Sequence, residues 1–158
     1  FIKNLQLTKN DKIKNIDNLN LNYINNSKIK NDINFSKNKN NYVLKGNVFD
    51  GSKSIEKLLK DNGSGNSLLN NFSNLNTIIN FELIKYYVDK NSYLETLNGK
   101  FFVKNNKIIS GNASALLNGN SKFSLNIKTN SNNEKVTNLF INKPEPFIKK
   151  YKFIKLIS

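Results

Sequence analysis

The stretch from Leu97 to Thr129 shows a regular alternation of apolar and polar positions. Its two outer runs keep apolar side chains at a period of two: Leu97, Phe101, Val103, Phe123, Leu125 and Ile127. The runs are separated by Asn-Asn-Lys and Asn-Gly-Asn, whose residues tolerate the left-handed backbone of tight turns. The pattern predicts a three-stranded antiparallel meander. One of its faces is apolar and needs a covering layer, a partner or a ligand.

Similar strand patterns occur through most of the chain. Leu19, Leu21 and Tyr23 alternate with asparagines in a strand pattern over residues 13–24, and residues 75–88 form the longest strand candidate. That candidate places two sets of apolar residues on opposite faces: Ile79, Phe81 and Leu83 on one, and Ile78, Ile84 and Tyr86 on the other. Such a strand is partly covered on both sides, or it changes face at a bulge. The whole pattern predicts a mainly β protein of about eight strands.

Two short segments have helical spacing instead. Asp50-Gly51-Ser52 offers caps for a helix over residues 52–60, where Ile55, Leu58 and Leu59 share one side. Pro144 and Pro146 favour the first turn of a second helix over residues 145–151. The Gly, Ser and Asn residues of 61–71 predict a flexible loop. We therefore expect a curved antiparallel sheet forming an open groove (a β-taco), with two short helices as a minor α component.

Length and composition favour one domain cut from a longer protein. The chain has 158 residues, enough for a single core, and it begins at Phe1 without any Met. We expect residues 1–158 to be a single fragment of a longer repeat protein. No run in it approaches the roughly 20 apolar residues needed to span a bilayer.

The chain carries a formal charge of +14, and every basic residue is Lys. A nucleic-acid surface would favour Arg, whose planar fork pairs with phosphate and guanine. Lys, Asn and Ile together dominate the sequence, which is typical of an AT-rich genome. Nucleic acid is therefore a disfavoured partner, and the charge is read mainly as a solvated basic face, with binding to lipid or nucleic-acid phosphates as the alternative.

Cysteine and histidine are both absent. The sequence thus lacks a thiolate nucleophile, a His base and the usual zinc ligands. The carboxylates in the middle of the chain are scattered and sit near turns or lysines: Asp50, Glu56, Glu82, Asp89 and Glu95. We expect no catalytic residues, no metal site and no cofactor, so the protein is not predicted to be an enzyme.

The order of the segments resembles the AsmA-like family of Gram-negative envelope proteins, which includes TamB. The resemblance rests on YVLKGNVFDGSKSIEKLL, on LETLNGKFFVKNNKIISGNASALLNGNSKFSLNIKT and on VTNLFINKPEPFIKKYKFI, between Tyr42 and Ile154. Such proteins are anchored in the inner membrane, cross the periplasm and carry phospholipid toward the outer membrane along a β-sheet groove. The resemblance implies lipid transport in the periplasm, with the membrane reached through the parent protein.

If so, the apolar residues of the central strands should share the concave face and contact phospholipid acyl chains: Phe81, Leu83, Leu97, Phe101, Val103, Phe123, Leu125 and Ile127. The plainer alternative is that these residues pack under the helix of Ile55, Leu58 and Leu59 as ordinary core. Two other functions remain open. One is a basic, ribosomal-type nucleic-acid-binding protein, and the other is a structural or adhesive β-repeat with both sheet faces covered.

Overall fold

The computed structural model describes residues 1–52, 68–132 and 134–144. Strands make up 66% of this part of the chain, which confirms the mainly β prediction. One turn of 3-10 helix, Leu68–Asn71, precedes the seventh strand. The strands are β1 (Ile2–Lys3), β2 (Gln6–Leu7), β3 (Ile13–Asn15), β4 (Asn18–Ile24), β5 (Lys30–Asn38), β6 (Asn41–Asp50), β7 (Thr77–Tyr87), β8 (Tyr93–Lys104), β9 (Lys107–Leu117), β10 (Ser121–Thr129) and β11 (Lys135–Ile141).

Nine of these strands form one large sheet that does not close on itself. Its order is β1-β4-β5-β6-β7-β8-β9-β10-β11, and β2 pairs with β3 separately. Neighbours in the large sheet run antiparallel except β6 and β7, which are parallel with Leu44 opposite Phe81. The prediction of an antiparallel sheet is therefore wrong at this pair, and the sheet is mixed. The chain therefore leaves β6 at one end of the sheet and enters β7 at the other.

The predicted helices over residues 52–60 and 145–151 lie outside the described residues, apart from Ser52. Apart from Ser52, no residue in the described ranges is α-helical. The predicted flexible loop, 61–71, is described from Leu68 onward, and there it forms the 3-10 turn. The large sheet is thus the main element of the part of the chain that the structure describes.

The predicted meander is confirmed as β8, β9 and β10. Asn105 and Asn106, with φ of +49° and +62°, join β8 to β9. Asn118 and Gly119, with φ of +49° and +77°, lie in the turn from β9 to β10. Asn and Gly enter this left-handed region at little cost, so the two turns fix the register of the three strands. We call the ends of the sheet the Asn106 end and the Asn118 end after these turns.

The N-terminal strands are more broken than their alternation predicts. A single strand was expected over residues 13–24, yet β3 and β4 are separated by Ile16 and Asp17. The Asp17 carboxylate accepts hydrogen bonds from the side-chain amides of Asn4 (2.6 Å) and Asn15 (3.1 Å). The bond from Asn4 has the larger effect and the bond from Asn15 the smaller, and together they hold the pKa of Asp17 below its usual 3.8. Local bonds of this kind compete with ladder pairing, which explains the break.

Two apolar clusters lie on one side of the sheet. The larger cluster joins β5 with β7 to β10, and its most buried members are Val88 and Leu117, exposed by 0% and 1%. The smaller cluster lies at the Asn106 end and contains Ile16, Tyr42 and Leu75. In this cluster, residues of the sheet pack against the segments that immediately precede β4 and β7.

Asn106 ties the segment before β7 to the β8–β9 turn. Its Oδ1 accepts a hydrogen bond from the Leu75 amide (2.5 Å), and its Nδ2 donates to the Phe72 carbonyl (2.8 Å). We expect Asn106→Ala to lower the free energy of unfolding by about 2 kcal/mol, since both bonds are lost and alanine resists a positive φ. Urea unfolding followed by circular dichroism measures this.

Asn106→Gly is the matched control, because glycine keeps the backbone freedom and loses only the two side-chain bonds. It should cost less than Asn106→Ala. Equal stability of Asn106→Ala and the wild type would show that the bonds to Leu75 and Phe72 do not hold this segment.

Candidate functional site

The side of the sheet that carries the two clusters, here called the apolar face, is organised by rows of opposed residues. Strands lie about 4.8 Å apart, so a row across eight strands is about 34 Å long. Every residue of the central row is apolar or glycine, which makes it a continuous strip perpendicular to the strands. From β4 to β11 this central row is Leu19, Phe35, Leu44, Phe81, Gly99, Ala113, Leu125 and Leu139.

Shorter rows flank the central row on both sides. Toward the Asn106 end the flanking row is Tyr42, Ile79, Phe101, Gly111 and Ile127. Toward the Asn118 end the flanking residues are Leu21, Ile33, Gly46, Leu83 and Leu97. On the last three strands the same side continues through Ala115, Phe123 and Ile141. The apolar face is therefore at least three residues wide over most of its length.

The structure brings all eight predicted groove residues to this one face. Leu83 lies opposite Leu97, and Phe101 and Ile127 lie on either side of Gly111. The ring centroids of Phe81 and Phe101 are 4.9 Å apart. Six of the eight are buried and two are half-buried; the half-buried pair is Phe101 and Leu125.

Exposure along the face rises from the middle of the sheet toward its two edges. Phe81 is 5% exposed and Phe123 is 9% exposed. By contrast, Leu21 on β4 is 36% exposed and Leu139 on β11 is 43% exposed. The face is thus core-like in its middle and reachable from solvent at β4 and β11.

At the Asn106 end the face is covered by the chain around β3 and the 3-10 turn. Phe72 packs edge-on against Phe35 and Tyr42, with ring centroids 6.4 and 6.2 Å away. The Ser73 amide donates to the Ile13 carbonyl (2.9 Å), which joins the two covering segments. Burial raises the pKa of Tyr42 above its usual 10.0. Val103, one of the predicted groove residues, belongs to this covered cluster.

In its middle, strand β9 presents three small residues in succession to the apolar face. Gly111, Ala113 and Ala115 occupy the positions opposite larger side chains such as Phe101 and Phe123. The groove prediction omitted them because it named only the larger apolar residues of the alternating runs. The signal was visible in the sequence as small residues at every second position of GNASA. Small side chains here let the larger ones of β8 and β10 approach each other above β9.

The opposite side of the sheet, here called the polar face, carries asparagine and lysine. Its one ion pair among the described residues joins Lys45 and Glu82 at 2.8 Å, with both side chains more than half exposed, so its contribution to stability is small. The row behind the central strip is almost entirely polar: Asn18, Ser36, Val43, Asn80, Lys100, Asn112, Asn126 and Asn138. The two faces therefore differ sharply in chemistry.

No family model, curated protein or solved structure matches the chain. In the part that the structure describes, no helix has the length and hydropathy to cross a membrane. The same residues contain no group of three or more carboxylates placed to hold a metal ion.

Proposed function

We propose that this protein binds the acyl chains of phospholipid along the apolar face of its sheet, as part of an envelope protein that carries lipid between two membranes. The observation that supports it is the central row, eight strands long and without a polar side chain, on a sheet that does not close. The resemblance to the AsmA-like family supplies the biological setting: a periplasmic segment whose parent is anchored in the inner membrane. Fractionation of cells that produce the parent protein tests that setting.

The free energy of acyl-chain burial along the central row suits a protein that carries lipid. Each methylene that an acyl chain buries against the row contributes about 0.8 kcal/mol. The row offers a Leu or Phe side chain on every strand except β8 and β9, where it has Gly99 and Ala113. Transport needs many weak sites, because a single deep site would hold the lipid.

An acyl chain would reach the apolar face from the edges of the sheet, where Leu139 and Leu21 are partly exposed. Leu125, half-buried on β10, is the next contact inward from Leu139.

A photo-crosslinking residue placed at Leu139 tests this function. In cells, we expect a lipid adduct from position 139, because this side chain is exposed and belongs to the apolar row. Asn138 is the matched control, since it is the next residue of the same edge strand and faces the other side. Mass spectrometry of the purified adducts measures both. Absence of an adduct at 139, or equal adducts at 138 and 139, would contradict lipid binding on this face.

Nucleic-acid binding is the second candidate, and two lysine-aromatic pairs favour it. Lys85 Nζ lies 4.1 Å from the ring centroid of Tyr93, and Lys100 Nζ lies 5.5 Å from that of Phe102. Single-stranded nucleic acid would stack on such rings beside positive charge. An electrophoretic shift with single-stranded DNA that is lost in Tyr93→Ala would support this candidate. The structural or adhesive repeat would have both faces of its sheet covered. The polar face does not fit this alternative, because its side chains Lys45, Glu82 and Asn98 are exposed.

A further inference from the structure

The polar face carries an apolar patch at its Asn106 end. Ile78 lies directly opposite Phe102, and Phe102 lies opposite Ser110 on β9. A register shift between Phe102 and Val103 leaves Ile109 as an extra residue on β9. Ile78, Phe102, Ile109 and Lys104 line one shallow hollow. Val136 lies on the same face of β11, beyond Lys128 of β10, and both Ile109 and Val136 are 41% exposed.

Four lysines surround this patch. Lys104 and Lys107 lie directly opposite each other across the β8–β9 turn, although like charges in opposed positions disfavour pairing. Lys128 lies opposite Val136, and Lys100 contacts the Phe102 ring. All four are exposed, and none forms a salt bridge with a described residue. We call these four lysines, with Ile78, Phe102, Ile109 and Val136, the basic corner.

The sequence around the basic corner leaves its charge largely uncompensated. Between Lys100 and Pro144 there are seven lysines and one acidic residue, Glu134. The Glu134 carboxylate accepts a hydrogen bond from the side chain of Asn130 (2.8 Å) in the β10–β11 turn. An anionic partner would therefore meet positive charge over the whole corner.

We propose that the basic corner is a docking surface for a bilayer that contains anionic phospholipid. Lysines around an exposed aliphatic centre match such a surface, because lysines pair with headgroup phosphates while apolar side chains enter the headgroup boundary. Three of the four apolar side chains of the corner are aliphatic, Phe102 is its single ring on which a base could stack, and the corner has no Arg, so a bilayer fits better than nucleic acid. The corner lies on the face opposite the acyl-chain row, so this inference stands apart from the proposed function.

Vesicle flotation with the full chain tests the docking surface. Vesicles of phosphatidylcholine containing phosphatidylglycerol should bind the protein, and vesicles of phosphatidylcholine alone should bind it weakly. The triple variant Lys104→Gln, Lys107→Gln and Lys128→Gln should lower the partition coefficient by about a hundredfold, at roughly fivefold for each lysine near an anionic surface. Added salt should weaken wild-type binding in the same direction. Ile109→Ser should also reduce binding, without changing the dependence on salt.

The matched control removes three exposed lysines from the Asn118 half of the sheet: Lys30→Gln, Lys90→Gln and Lys122→Gln. It has the same net charge as the triple variant and should bind the anionic vesicles nearly as well as the wild type. Circular dichroism checks that both variants keep the fold. Equal loss in the two variants would mean only diffuse charge attraction and would overturn the proposal. If the variant without Lys104, Lys107 and Lys128 lost binding to single-stranded DNA but kept its binding to vesicles, the docking proposal would be overturned in favour of nucleic acid.

Discussion

Phe123→Asp should unfold this protein. The Phe123 side chain is 9% exposed in the larger cluster, and its strand neighbours on the apolar face are Ala115 and Ile141. A carboxylate at this position would lose its hydration among apolar groups, which costs several kcal/mol. Small domains are stable by about 5–15 kcal/mol, so the loss is a large part of the total. Urea unfolding and the yield of soluble protein measure the effect.

Ser124→Asp is the matched control, because Ser124 is the next residue of β10 and is exposed on the polar face. It introduces the same charge and should change the free energy of unfolding by less than about 0.5 kcal/mol. A folded, stable Phe123→Asp would mean that position 123 is open to water, as in an unobstructed groove. In that case a lipid could also reach Phe123, one strand inward from the edge strand β11.

The period-two pattern predicted the face of a residue well because alternation is a local property. It placed all eight groove candidates on one side, and the register does the same. It failed where the alternation breaks. Tyr86 was assigned to the face opposite Phe81, yet it packs against the larger cluster. Ile84 between them is exposed, and Thr96 on the neighbouring strand has φ of +51°. The strand therefore changes face, one of the two outcomes that its apolar residues on both sides had allowed.

Strand order could not be read from the alternation, because it depends on residues far apart in the chain. The parallel pairing of β6 and β7 joins strands whose ends, Asp50 and Thr77, are 27 positions apart in the sequence. Strand order also decides which apolar residues are reachable. Leu139 and Phe81 both occupy apolar positions of the period-two alternation, and both lie in the central row. Leu139 is exposed and Phe81 is buried, because Leu139 lies on an edge strand. The sequence predicted the chemistry of the candidate site, and the position of each strand in the sheet decides which of its residues a lipid could meet.

Gly99→Val should be the other strongly destabilising substitution. Gly99 lies in the central row between Phe81 and Ala113. A Cβ at this position would lie 2.7 Å from Phe81 Cζ and 2.8 Å from Ala113 Cα, and it would also clash with the Asn112 carbonyl oxygen. Two of these three atoms belong to the backbone of β9 and cannot rotate away. The strands β8 and β9 would have to separate in the middle of the row, so the cost should reach or exceed about 3 kcal/mol.

A double-mutant cycle with Phe81→Leu separates the two sources of this cost. Leucine removes the ring that meets the new Cβ, but it leaves the clash with β9 in place. Gly99→Val should therefore remain strongly destabilising in the Phe81→Leu background, with only part of the loss recovered. Ser114→Val on the exposed polar face of β9 controls for the valine itself and should change stability by less than about 0.5 kcal/mol. Full recovery in the double variant would show that the ring was the obstacle and that β8 and β9 tolerate a side chain at position 99.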